Sequence, residues 1–120
     1  MELAHITEKI IGAAFMVHNA LGAGFLEKVY ENALCYELKA SGLSVQQQHR
    51  IEVGYKGVSV GDYQADLIVE RCCLVEMKAV KILDQNHQAQ VMNYLKATGL
   101  KTALLLNFGS PRLQIKRFVM

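Results

Sequence analysis

Two acids and a lysine stand out because each interrupts an apolar stretch. Asp66 lies in Ala65-Asp66-Leu67-Ile68-Val69, and ten residues later Glu76 and Lys78 lie in Cys72-Cys73-Leu74-Val75-Glu76-Met77-Lys78-Ala79-Val80. A near-continuous apolar run of this kind reads as a central strand covered on both faces. Residues two apart on a strand project from one face, so Glu76 and Lys78 share a side. Burying such charges costs several kcal/mol per ion unless they are paired or bound to a metal. A hairpin turning near Glu70-Arg71 would bring Asp66 beside Glu76, so two carboxylates and an ammonium converge on one patch. That trio suits a hard divalent cation, and it also suits a structural ion-pair network on a solvated face. Spacing alone does not point to a site, and the apolar setting of both acids brings the site reading level with the structural one.

Two flanking segments point to the same patch. Gly24-Phe25-Leu26-Glu27-Lys28-Val29-Tyr30 places Glu27 in the first turn of a helix, one turn before Tyr30. The helix dipole favours a carboxylate there, so capping is the alternative account of Glu27. Gln90 and Tyr94 are four apart and share one face of a later helix.

The elements that must position these residues follow from periodicity. Leu3, Ile6, Ile10, Ala14, Val17 and Leu21 fall at helical steps, ended by Gly22-Ala23-Gly24. A second helix from about Phe25 should bury Leu26, Tyr30, Ala33, Leu34 and Leu38 and stop at Ser41-Gly42. The period then becomes two, with Val45, Ile51, Val53 and Tyr55 opposite Gln46, Gln48, Arg50 and Glu52, a half-exposed strand. Lys56-Gly57 and Gly61 read as turns. Strands are expected at 63–69 and 73–79, a helix at 84–98 with Asp84 as N-cap and Gly99 as stop, and strands at 102–108 and 113–119 around Gly109-Ser110-Pro111. The order α-α-β-β-β-α-β-β implies an α/β (α+β) fold, a mixed sheet with helices packed on it.

With 120 residues, 52% of them apolar or aromatic, the chain reads as one domain, 1–120, able to bury a core. No apolar run approaches the length of a membrane span, and the start is not a signal peptide. Cys35, Cys72 and Cys73 form no metal-ligand spacing, and reduced, buried thiols in the cytoplasm are expected. The net charge of +2 argues for nothing by itself. Its distribution says more: residues 61–120 carry eight basic against five acidic side chains, and two of those acids are Asp66 and Glu76.

Together these residues resemble the PD-(D/E)xK nuclease superfamily, and within it the GxxExxY proteins. Gly24, Glu27 and Tyr30 match the namesake motif, and Asp66 with Glu76-Met77-Lys78 matches the acidic signature. Gln90 and Tyr94 match the QxxxY motif of RecB-like members. Asn107-Phe108-Gly109 and Lys116-Arg117 are similar to this group as well, and Ala65 departs from the nominal proline. The resemblance covers nearly the whole chain. It implies a restriction-endonuclease-like αβββαβ core, with an extra N-terminal helix and C-terminal strand. It further implies Mg²⁺ or Mn²⁺ held by Asp66, Glu76, the Met77 carbonyl and, directly or through water, Glu27. Lys78 would position the attacking water, while Gln90 and Tyr94 would orient Lys78 or a phosphate. The implied activity is hydrolysis of phosphodiesters in DNA or RNA, with a homo-oligomer or protein partner supplying targeting. A catalytically silent nucleic-acid-binding or assembly module is the alternative. His18 reads as structural, closing a helix end.

Overall fold

The computed structural model describes residues 2–120. Helices α1 (Leu3–Leu21) and α2 (Glu27–Ala40) precede strands β1 (Val45–Tyr55), β2 (Val58–Val69) and β3 (Cys73–Lys78). Helix α3 (Gln85–Thr98) then crosses over to β4 (Thr102–Asn107), and β5 (Gln114–Val119) ends the fold. The sheet order is β1-β2-β3-β4-β5, with every neighbouring pair antiparallel except β3 and β4. This is the mixed, helix-flanked sheet that the sequence predicts. Among the described residues no helix is long and apolar enough to cross a membrane.

Alternation along the strands divides the core in two. Leu67, Val69, Val75, Met77, Leu104 and Leu106 face α1 and α2, where they meet Ile10, Ala14, Tyr30, Leu34 and Leu38. Ile68, Leu74, Ala103 and Leu105 face the other way, against Val91, Tyr94 and Leu95 of α3. Strand β3 is therefore covered on both sides and buried from Cys73 to Met77. The Cys73 thiol is pushed up to about 12, chiefly by burial, which makes it core filler rather than a nucleophile.

Local chemistry sets the boundaries. Asp84 accepts the His87 N–H at 3.0 Å while the His87 ring accepts from the Asp84 N–H, a reciprocal cap for α3. Gly99 ends that helix in the left-handed region at φ 75°. A two-residue turn at Lys56-Gly57 closes the β1–β2 hairpin and a three-residue turn, Glu70-Arg71-Cys72, the β2–β3 hairpin, with Lys56, Gly57, Glu70 and Arg71 at positive φ.

Three expectations need correction. Leu26 is 81% exposed: it is the extended residue before α2, outside the helical repeat, so it does not share the buried stripe. Gly61 lies within β2, not in a turn, because β2 begins at Val58 and pairs with β1 as far as Tyr55. Tyr55 is exposed, since that end of the hairpin extends past the core.

The ends of β3 and β4 are fastened together. The Asn107 side chain, fully buried, accepts from the Val80 and Gly109 N–H groups and donates to the Val80 carbonyl and Gln114. Gly109 sits so close to Ala79 and Val80 that a Cβ there would run into backbone. Gly109→Ala is therefore expected to lower stability by about 1–3 kcal/mol or more, read as a reduced urea midpoint with an unchanged slope. A neutral result would mean that the segment after Lys78 is not clasped in this way.

Candidate metal and catalytic site

The site forms where β2 and β3 stop pairing. Their ladder runs from Val69–Cys73 to Leu67–Val75. One step further, the two acids replace the missing backbone acceptors: the Asp66 N–H donates to Glu76 Oε1 and the Met77 N–H to Asp66 Oδ2, both at 2.9 Å. The strands can separate there without leaving buried N–H groups unpaired. A strand residue's N–H and C=O point to the same side, so the Met77 carbonyl also faces Asp66.

The carboxyls are close enough to share a proton, and burial plus the Asp66 charge push Glu76 up to about 8. Asp66 is also raised, first by burial and then by the Glu31 charge, while the Met77 N–H opposes the shift. Among the described residues no protein donor bonds the second oxygen of Glu76. Lys78, half-buried at the end of β3, lowers Glu76 through its charge but makes no ion pair among the described residues. Two hard carboxylates held together with an uncommitted ammonium nearby form a donor set that fits Mg²⁺, which is usually held by one or two carboxylates and waters. No group of three or more His, Cys, Asp or Glu side chains gathers as a metal cage among the described residues.

Helix α3 brings the other two expected residues to this face. The Gln90 amide donates to the Tyr94 hydroxyl at 3.1 Å. Burial raises Tyr94, and the Glu76 and Asp66 charges raise it further, which sets its hydroxyl within reach of their field.

Helix α2 arrives differently. Glu27 is exposed in its first turn, whereas Glu31, one turn on, is buried and couples to Asp66. Glu31 pairs with Lys28 at 3.0 Å and accepts from the Gln47 and Gln48 side chains at 2.8 and 2.7 Å. Gln48 also donates to Asp66 Oδ1 at 3.2 Å, bridging the two acids. Neighbouring strand residues normally point to opposite faces. Gln48 adopts φ 51°, which lets it and Gln47 reach the same carboxylate. Sequence reasoning missed Glu31 and Gln48; the signal was three consecutive glutamines breaking the alternation of β1.

Tyr30 is a structural tie. Its hydroxyl donates to the Gly22 carbonyl and accepts from the Phe25 N–H, and its ring stacks on Phe108 with centroids 4.6 Å apart. His18 joins this support through a 3.0 Å hydrogen bond between its Nε2 and the Ser110 carbonyl.

The raised carboxyls make stability depend on pH. Glu76 ionises near 4.5 when unfolded and near 8 when folded, so between those values the native state holds an extra proton. Its contribution is fully present below pH 4.5, falls as pH rises through about 8, and levels off above. Asp66 acts with the same sign. In EDTA, the protein is expected to be less stable at pH 8 than at pH 5 by on the order of a few kcal/mol. Denaturant midpoints should show this, and Glu76→Gln should flatten the slope; an equally steep slope in the variant would reassign the effect.

A sequence profile of the PD-(D/E)XK nuclease superfamily matches residues 4–118. No curated protein matches the chain. Among solved structures, one described as the crystal structure of SSO0001 is similar, with a TM-score of 0.62 and 16% identity. The match covers 77% of this chain and 48% of that one, so the chain spans about half its length. At that identity the likeness concerns fold alone. The profile covers nearly every element, from α1 to β5, and the chain belongs to the PD-(D/E)XK nuclease superfamily.

Proposed function

We propose that this domain is a divalent-metal-dependent nuclease of the GxxExxY group, hydrolysing phosphodiester bonds in DNA or RNA in the cytoplasm. The observation that carries the reading is the carboxyl pair Asp66–Glu76 at the parting of β2 and β3, with the ammonium of Lys78 uncommitted beside it. Asp66, Glu76 and the Met77 carbonyl would hold Mg²⁺ or Mn²⁺. Glu27, exposed at the start of α2, would reach the ion directly or through water, or recruit a second one. Such an ion supplies Lewis acidity, making water a nucleophile near neutral pH and offsetting phosphate charge.

The chain's own residues supply the rest. Lys78 positions the attacking water or meets the negative charge that grows on the phosphate. Tyr94 accepts from Gln90, which leaves its own O–H free to donate. Its raised pKa keeps that proton in place at neutral pH, so Gln90 and Tyr94 together present a fixed donor to a phosphate oxygen. Glu31 and Gln48 hold Asp66 in orientation from behind.

One observation favours a second reading. Both acids are already engaged by backbone N–H groups, and no three-acid cage forms among the described residues. A silent nucleic-acid-binding module could keep this arrangement as a structural hinge between strands. In either case, a second copy or a protein partner would supply targeting.

Titration calorimetry with Mg²⁺ and Mn²⁺ separates the two. The wild type is expected to bind and Asp66→Ala to lose the heat, while Glu27→Gln weakens affinity only about 10-fold. Cleavage should vanish in EDTA and fall ~100-fold or more in Lys78→Ala with the circular dichroism spectrum unchanged. Cleavage unaffected by EDTA would sink the metal reading; metal-independent binding without turnover would leave the silent module standing.

A further inference from the structure

Beside the carboxylates, a cleft of about 760 Å³ opens between the β1–β2 hairpin and α3. Its walls carry Tyr63, Asn86, Gln90, Asn93, Tyr94 and Lys96. Positions 86, 90, 93 and 94 recur at helical steps, so one face of α3 lines the opening. Among the described residues, the Asn86 and Asn93 amides bond no protein group, although both are exposed. Tyr63 lies across Gly61, with its Cε2 3.4 Å from where a Cβ would stand, so the hairpin backbone supports the ring. Half of Tyr63 remains exposed, and its ring is tilted 45° from that of Tyr94 at 5.7 Å rather than stacked on it.

The lining distinguishes between the parts of a nucleotide. A phosphate cradle is built from clustered Arg and Lys, and the first turn of α3, which brings Asn86 to one end of the cleft, is already capped by the Asp84 carboxylate. Here the only charges are Lys96 and Glu52, and Glu52 is engaged by Arg50 at 3.5 Å. Uncommitted amides beside an exposed aromatic face suit a base, whose edge takes hydrogen bonds and whose plane stacks. In a duplex both planes of every base are covered by neighbours, so the half-exposed Tyr63 ring can stack only on a base that has left the stack.

We propose that this cleft is a nucleobase subsite. It receives one unstacked base flanking the scissile phosphate, stacked on Tyr63 and edge-bonded by Asn86 and Asn93, and so directs the site to single-stranded or unpaired nucleic acid. The inference rests on the nuclease reading of the adjoining carboxylates and deepens it. Continuity is provided by Tyr94, which both lines the cleft and stands in the field of Asp66 and Glu76.

The chain has no tryptophan, so Tyr63→Trp installs a single reporter at the proposed stacking position. Three probes with the same backbone length are compared in Ca²⁺ without turnover: a 12-mer oligothymidylate, its abasic analogue, and a 12-base-pair duplex. Oligothymidylate is expected to quench the reporter and the abasic strand to leave it unchanged. By fluorescence anisotropy with labelled strands, Tyr63→Ala should weaken oligothymidylate ~10-fold, Tyr63→Phe should restore it, and the abasic strand should not respond to either change. Because Tyr63 is half exposed, its loss leaves the core intact, and a thermal melt of each variant verifies this. Equal quenching by the abasic strand, or tighter binding of the duplex that ignores Tyr63, overturns the subsite. Tyr63-independent binding with metal-dependent cleavage would overturn the subsite and spare the nuclease reading. Tyr63-dependent single-strand binding without cleavage in any metal would do the reverse.

Discussion

The structure turns on a substitution at the mouth of the β2–β3 hairpin, where side-chain carboxylates stand in for backbone carbonyls. Asp66 and Glu76 take the N–H groups of Met77 and Asp66 as the strands move apart. The exchange solves a backbone problem and creates an electrostatic one, because two acids now face each other in a partly dry setting. Burial and the Asp66 charge push Glu76 up to about 8, so that below this pH a proton on Glu76 relieves the clash. Any cation that binds there competes with that proton, so ion affinity and pH are linked through the same pair of oxygens.

The surrounding elements divide their labour by face. On one side α1 and α2 provide support: Tyr30 ties the α1–α2 loop to Phe108, His18 reaches Ser110, and Glu31 with Gln48 braces Asp66. On the other side α3 presents Gln90 and Tyr94 toward the carboxylates and polar amides toward the cleft. The Asn107–Gly109 clasp joins the end of β4 to the chain just beyond Lys78. The bracing side chains thus lie on the α1–α2 side, and most of the cleft lining comes from α3 on the other.

Much of this was legible in the sequence. Long periodic segments such as α1 and the apolar run of β3 left little choice, and Asp84 and Gly99 marked α3 through cap chemistry that acts locally. A charge in an apolar run also survives translation to three dimensions, which is why Asp66 and Glu76 come together where β2 and β3 part. What escaped notice depended on tertiary or unusual backbone geometry. Leu26 looked like part of a buried stripe but precedes the helix. Gln48 looked solvent-facing by alternation, yet its positive φ turns it toward Glu31. Glu31 itself carried no signal beyond being one more acid on a helix. Gly61 resembled a turn because nothing in the sequence revealed that the ring of Tyr63 would lie across it.

The early end of the β2–β3 ladder has a mechanical consequence. From Val58 to Ala65, β2 pairs with β1 alone; Ile51 and Ala65 still pack against α3, and beyond them the hairpin continues as a two-stranded arm. Two-stranded ribbons hold together weakly on their own and twist readily. Free energies of local opening should therefore be low along this arm and high in β3 and β4, where both faces are covered. The carboxyl pair would then sit on the stiff plate while one wall of the neighbouring cleft rides on a compliant spring, which can change its gape without disturbing Asp66 and Glu76.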